Sequence, residues 1–397
     1  MISHTPSYAG RPTLVHTTLL GIAQILLWGG SFFLMAVLAP AVIADTGWAA
    51  ARVYGSLSLS IVISGLLAPA VGRWIARDHG PLLLLGSGAV VGLGLIGLSL
   101  AGSLAQFTLG WCLIGVGMAL GLYDALFATL GKRYGAQARS PIVRVTLIGG
   151  LCTTVTWPVV SALIEAFGWR DACRFYGIAL CLLIWPLNAA GFVSARAGGA
   201  PPEPDRGSQA QPPAGTLPPG IYWLLALSFT LGASIMTAVS VLLLDLLRAR
   251  GLSPALALSI ASVMGPCQIG IRAVEALYPR KHPIWSALIS AVLTSVGLGL
   301  VLIDPALAFG GVILYSLGNG LRTIVKGTLP LALVSAAHYP RLLGRLALPS
   351  LIAQGLTPLA GALAMQAYGP GAVFAALCGF SILNTLITIA IKRRINL

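Results

Sequence analysis

Apolar residues run along this chain in blocks of about 20, without the alternation of a strand and with few charges inside them. Such blocks can each cross a hydrocarbon layer about 30 Å thick as a helix. They are predicted at 18–43, 53–75, 82–101, 104–130, 142–165, 173–194, 221–246, 254–275, 284–303, 306–329, 345–367 and 371–391. Continuous runs favour helices over a membrane barrel, whose strands alternate apolar and polar positions. The first run, Leu19 to Ile43, is longer than the roughly 7–15 apolar residues of a signal peptide, so it is expected to stay as the first span.

The one long stretch that breaks this rhythm is 195–219, rich in Pro, Gly and Ala and poor in large apolar residues. It cannot build a core and is expected to be a flexible linker. The chain then divides into a six-helix half over 1–194, the linker over 195–219, and a second six-helix half over 220–397. Both halves begin on the same side, as in a parallel repeat. The expected fold is all-α and integral to the membrane, with twelve spans in two pseudo-symmetric halves.

Composition changes what this pattern can mean. Only 9% of residues are charged and mean hydropathy is +0.91, too little polar surface for a water-soluble enzyme, a disordered chain or a nucleic-acid binder. The net charge of +14 is then a matter of topology. With the N-terminus cytoplasmic, 16 of the 24 basic residues fall in cytoplasmic segments or at the span ends beside them, five in outer segments or at the span ends beside them, and three, Arg272, Arg322 and Lys326, deeper inside spans. That bias puts both termini in the cytoplasm of a cell that carries the protein in its inner or plasma membrane. The six cysteines lie in or beside apolar runs without metal-ligand spacing, and the five histidines lie in tails or cytoplasmic loops. Neither set suggests a metal, a cofactor or a catalytic arrangement, and the chain is read as a monomer without enzyme activity.

Charges inside spans need a reason, because each costs about 2.5–3.5 kcal/mol at the bilayer centre on insertion scales. Span eight carries Arg272, with Gln268 one turn before it on the same side and Glu275 three residues after it. Arg272 can grip a carboxylate with its planar fork, pair with Glu275, or snorkel to the interface. Span ten carries Asn319, Arg322 and Lys326 at i, i+3 and i+7, one polar stripe that lipid would not accept. Arg322 is the better ligand of the two cations, and Asn319 suits an interhelical hydrogen bond. In span four, Asp124 beside Tyr123 is a proton carrier or a fixed counter-ion for Arg322 or Lys326. Three intramembrane cations thus face one clear intramembrane anion, and an anionic substrate is the natural missing partner. Gln24, Trp28 and Gln354 are weaker candidates, read as packing or anchoring residues.

Two six-span halves around a cytoplasmic linker resemble the major facilitator superfamily over nearly the whole chain. Gly72-Arg73-Trp74-Ile75-Ala76-Arg77-Asp78-His79-Gly80-Pro81 resembles the superfamily's loop between spans two and three, with Ala76 where an acid is usual and Asp78 shifted along. Three features resemble the monocarboxylate and oxalate:formate branch. These are Ala39-Pro40-Ala41 with Asp45-Thr46-Gly47-Trp48, then Gly168-Trp169-Arg170, and the span-eight arginine. Gln268 replaces the branch's aspartate one turn before that arginine. The resemblance implies alternating-access transport of a small organic anion, such as a carboxylate, with proton symport or anion exchange. Arg272, Arg322, Lys326, Gln268, Asn319 and Tyr123 would line the site, and Asp124 would carry a proton or pair a cation. The alternative is proton-driven efflux of a drug or toxic compound, which would call for a more acidic cavity.

Overall fold

The computed structural model describes residues 13–192, 217 and 220–395. The linker expected over 195–219 lies, except for Leu217, outside the described residues. No strand occurs among the described residues, and helices follow the predicted blocks. The first half contains α1 (Leu14–Gly29), α2 (Met35–Thr46), α3 (Ala50–Ala76), α4 (Gly80–Ser99), α5 (Leu104–Gly121), α6 (Tyr123–Tyr134), α7 (Arg139–Gly149) and α8 (Cys152–Phe192). The second contains α9 (Ile221–Ala249), α10 (Pro254–Ser262), α11 (Met264–Leu277), α12 (Pro283–Ile303), α13 (Ala308–Leu333) and α14 (Tyr339–Arg394).

Seven stretches of described helix are long and apolar enough to cross a membrane. Two of them hold more than one crossing, because α8 turns back at Gly168 and α14 at Gly369. The first span is split into the shorter α1 and α2, and α13 is diluted by its polar stripe, so the twelve expected crossings are all accounted for. Span eleven begins earlier than expected, at Tyr339. Pro340 falls in the first turn of α14, where a missing N–H costs nothing, so it helps to start the helix.

The two halves repeat each other in ways that side-chain identity conceals. Gly168 sits at φ 78°, ψ 164° between spans five and six, and Gly369 sits at φ 79°, ψ 169° between spans eleven and twelve. Only glycine tolerates that backbone region freely, so the same reversal is built at both places. Likewise Gly94 and Gly110 bring α4 against α5, and Gly297 and Gly311 bring α12 against α13. A Cβ at any of the four would lie 3.1 Å or less from backbone of the facing helix.

Four spans are interrupted, and all four line the contact between halves or its approach. Span one breaks over 30–34, span four at the extended Leu122, span five at Gly150-Leu151 and span eight at Val263. The last break has a direct cause: Pro266 lacks an N–H and its ring would strike the carbonyl of Ser262 in a continuous helix.

The halves are not joined evenly. One buried apolar cluster mixes both halves, setting Phe127, Ile142 and Val145 against Val325, Leu329, Tyr339 and Leu343. It lies at the end that carries Arg73, Lys132, Arg133 and Arg341, called here the basic end. Toward the opposite end the buried cores separate into one drawn from the first half and another drawn from the second. The molecule is therefore sealed at the basic end; beyond it the apolar cores part, while α3 and α14 stay in contact. The seal needs Gly72: a Cβ there would stand 2.5 Å from the Pro340 carbonyl oxygen and 3.3 Å from Gly344 Cα.

Gly72→Ala should overpack this seam at a cost of about 1–3 kcal/mol. In a background without the native cysteines, a cysteine placed at the buried Leu342 should become reactive to an impermeant maleimide added at the basic end. Unchanged labelling would show that the seam tolerates the methyl group.

Candidate functional site

The intramembrane charges cluster where the broken helices meet. Arg272 on α11 is buried and reaches across the boundary between halves. Its Nη1 donates to the Thr146 carbonyl oxygen of α7 at 3.0 Å. Its Nε donates to the Gly320 carbonyl oxygen of α13 at 3.4 Å, and its Nη2 to Gln268 Oε1 at 3.4 Å and Thr323 Oγ1 at 3.3 Å. Every one of these acceptors is neutral. Thr146 lies in the last turn of α7, and its carbonyl oxygen also accepts from the Gly150 N–H at 3.0 Å, so Arg272 is a second donor to it, placed at the helix end where the dipole favours a cation.

The helix end is shaped by two glycines. A Cβ on Gly150 would stand 2.6 Å from Arg272 Nη1, and one on Gly149 would strike the Tyr123 hydroxyl. The guanidinium tip and the phenol therefore rest on successive residues of the same turn. Tyr123 opens α6 just after the break at Leu122, stacks on Phe127 with centroids 5.1 Å apart and leans on Trp28 at 5.2 Å. Gln24, one turn before Trp28, donates its amide to the Gly121 carbonyl oxygen at 2.7 Å. Its Oε1 and the Trp28 Nε1 are enclosed without a hydrogen-bond partner. Both were expected to be packing residues, and Trp28 does pack on Tyr123, yet each keeps an enclosed polar atom.

Asp124 and Lys326 form an ion pair of 2.8 Å that joins the halves from α6 to α13. Of the two counter-ion partners weighed for Asp124, Lys326 is the one in contact. Glu275 does not pair with Arg272 at i+3. Its carboxylate accepts from Ser286 Oγ at 2.8 Å, from Arg139 of α7 at 3.3 Å, and from Arg280. The Arg139 contact comes from 136 residues away in the chain, which local spacing does not reveal.

Arg322 and Asn319 lie elsewhere. The Arg322 guanidinium turns into the second half, where its Nε donates to Asn319 Oδ1 at 3.0 Å and its Nη2 meets Met236 Sδ of α9 at 2.9 Å. Among the described residues no carboxylate lies within ion-pair distance of Arg272 or Arg322. Arg272, buried, and Arg322, half-buried, thus both remain without an anion in contact among the described residues.

The sequence motifs at the end opposite the basic one also meet in space. Trp169 Nε1 donates to Asp45 Oδ2 at 2.9 Å, and Arg170 pairs with the same carboxylate while donating to the Ala101 carbonyl oxygen. These donations, the indole first, hold the Asp45 carboxyl below its ordinary range. They tie spans one, three and six together at that rim, away from the buried arginines.

No family model matches the chain, and no curated protein matches it by sequence. Solved structures match it along almost its whole length. A bacterial homologue of the iron transporter ferroportin, in an outward-facing state, matches with TM-score 0.72 and 17% identity over 96% of this chain and 100% of that one. The proton:xylose symporter XylE of the major facilitator superfamily matches with TM-score 0.71 and 10% identity over 94% of each chain. The human organic anion transporter MFSD10 matches with TM-score 0.69 and 15% identity over 94% of this chain and 98% of that one. The fold is that of major facilitator superfamily transporters.

The Asp124–Lys326 pair should be strongly coupled. Asp124→Asn alone should cost about 1–3 kcal/mol by stranding an ammonium, and Asp124→Asn with Lys326→Met should cost less than the sum of the single changes. Unfolding of the four proteins in detergent measures the cycle; additive costs would mean that the pair holds nothing together.

Proposed function

We propose, from a fold shared with major facilitator superfamily transporters, that this chain is a secondary transporter of a small organic anion, such as a carboxylate. The observation that carries the reading is Arg272: a buried guanidinium between the halves, held by four neutral acceptors and no acid. A carboxylate would offer it charge-assisted bidentate bonds, roughly twice as strong as neutral ones, in exchange for such contacts. That Arg322 also lacks an acid adds positive potential behind the site, supplying field from within the second half. Tyr123 and Gln268 complete the ligand set, with Lys326 poised to join it when Asp124 lets go. The description of MFSD10 as an organic anion transporter agrees with this chemistry, and so does the likeness of the span-eight arginine and the Gly168-Trp169-Arg170 turn to the monocarboxylate and oxalate:formate branch.

The basic end faces the cytoplasm in this reading, so the conformation described is sealed inward, with the cores parted toward the outside except along α3 and α14. The seal combines apolar packing with two charge contacts between halves, Asp124–Lys326 and Glu275–Arg139. An anion entering from outside meets Arg272 where it already grips the α7 end. Drawing the guanidinium away from Thr146 loosens one tie between the inner halves of spans five and eight. Protonation of Asp124 would loosen the second, giving symport with a proton. If Asp124 stays charged, the unmatched arginines make return without a bound anion costly, giving exchange.

Uptake into proteoliposomes across a panel of organic anions tests the reading. Arg272→Gln should lower transport of the accepted anion about 10–100-fold, the loss expected when a hydrogen bond to a charged group is removed. Normal flux in that variant, or no movement of any anion by the native protein, would overturn the anion site. Asp124→Asn separates the coupling modes: proton symport predicts loss of pH-driven accumulation with exchange intact, and pure exchange predicts no change in pH dependence.

A further inference from the structure

A second polar space lies apart from the Arg272 site, inside the second half. Two adjoining voids of about 30 and 10 Å³ sit between α9, α12, α13 and the last part of α14, and Arg322 and Asn384 line both. No carboxylate lines either one. Among the apolar side chains that make up much of the lining stand hydroxyls, amides and one guanidinium, and each of these polar groups has its own hydrogen-bonding state.

Asn319 must turn its oxygen to Arg322, since a guanidinium only donates; its amide N–H groups are left over. Asn384 accepts from Ser228 Oγ at 2.6 Å through its oxygen, which again leaves the amide nitrogen as the unused end. Ser290 gives its proton to the Gly318 carbonyl oxygen at 2.7 Å. The Tyr315 hydroxyl, on a side chain only 2% exposed, borders the smaller void and has no hydrogen-bond partner at all. Arg322 itself has an amide oxygen and a thioether as its near partners, neither of which carries charge. The space is therefore surplus in donors and in positive charge, and short of acceptors. Buried donors are rarely left so without a reason.

We infer that this space is a binding site for a small inorganic anion, a halide such as chloride, held by Arg322 with the Tyr315 hydroxyl and the Asn319 and Asn384 amides. Size selects the class: the voids hold a body of about one or two water molecules. That admits a monatomic anion and excludes an organic acid with its carbon skeleton. Charge distinguishes the ion from water, because water would satisfy the donors and leave the half-buried guanidinium without a counter-charge among the helices. A halide supplies the missing counter-charge and accepts from several donors at once. The inference concerns binding within the second half and stands whether or not the chain transports an organic anion.

Line broadening of chloride-35 by the purified full-length protein tests it directly. The native protein should give saturable broadening that bromide competes away and sulfate, too large for the voids, does not. Arg322→Gln should reduce it to the level of empty detergent micelles, and Arg272→Gln should leave it unchanged. Tyr315→Phe, which keeps the ring and its packing, should weaken the apparent affinity roughly 10–100-fold, the loss of one hydrogen bond to a charged group. If Arg322→Gln does not fold, the Tyr315→Phe titration decides, and an unchanged affinity overturns the site. So do three other results: no saturable broadening in the native protein, which means that the voids hold water only; broadening that survives Arg322→Gln; or broadening abolished by Arg272→Gln, which places the ion between the halves.

Discussion

Arg272 donates across the boundary between two six-helix halves to a carbonyl oxygen at the end of a broken helix, and the rest of the interior is arranged around that contact. A guanidinium inside a hydrocarbon slab has to be answered by protein, because lipid offers it nothing. Here the answer is made of dipoles alone: two backbone carbonyls, an amide and a hydroxyl. Dipoles suffice to bury the group and leave its charge uncancelled, which is the condition an anion site requires. The same contact also fixes a conformation, since it exists only while the inner halves of spans five and eight lie together.

The interrupted helices follow from this requirement. An unbroken span five would carry the helix on past Gly149 and Gly150, and Arg272 would then meet no helix end beside Thr146. An unbroken span four would place Tyr123 and Asp124 mid-helix, without the extended Leu122 that starts a new helix at the tyrosine. Each break releases backbone groups, and these are tolerable at membrane depth only where protein or a cavity takes them up. Gln24 does so for Gly121. The acids show the same economy. Asp124 and Glu275 each join the two halves by an ion pair at the sealed end, and neither is left to cancel an arginine of the interior.

Much of this was legible from residue order. Twelve crossings, the division into halves and the polar stripe of Asn319, Arg322 and Lys326 all follow from hydropathy and helical period. What residue order hid was direction and partnership. At i+3 Glu275 looked like the partner of Arg272, yet its partners are Arg280, Ser286 and the distant Arg139, because the carboxylate faces the sealed end. Arg322 and Lys326 share a stripe but not a destination: the first turns toward α9, the second crosses to α6. A one-turn offset along a helix separates these fates, and no period can distinguish them. The internal repeat, too weak to align by residue identity, survives in the paired reversals at Gly168 and Gly369, where backbone geometry permits little else.

The seam between α3 and α14 runs almost from one face of the membrane to the other: Gly72 against Pro340, Gly65 against Leu351, Gly355 against Ser58. Small residues at each station let the two backbones touch along a line. A line of contact between two stiff bodies is an axle. If the halves roll about it, displacement grows with distance from the seam, so side chains beside it barely move while those across the molecule travel furthest. With its rim bound together at Asp45, Trp169 and Arg170, the first half would turn as one lever, and a modest change at Arg272 would be magnified at the mouth.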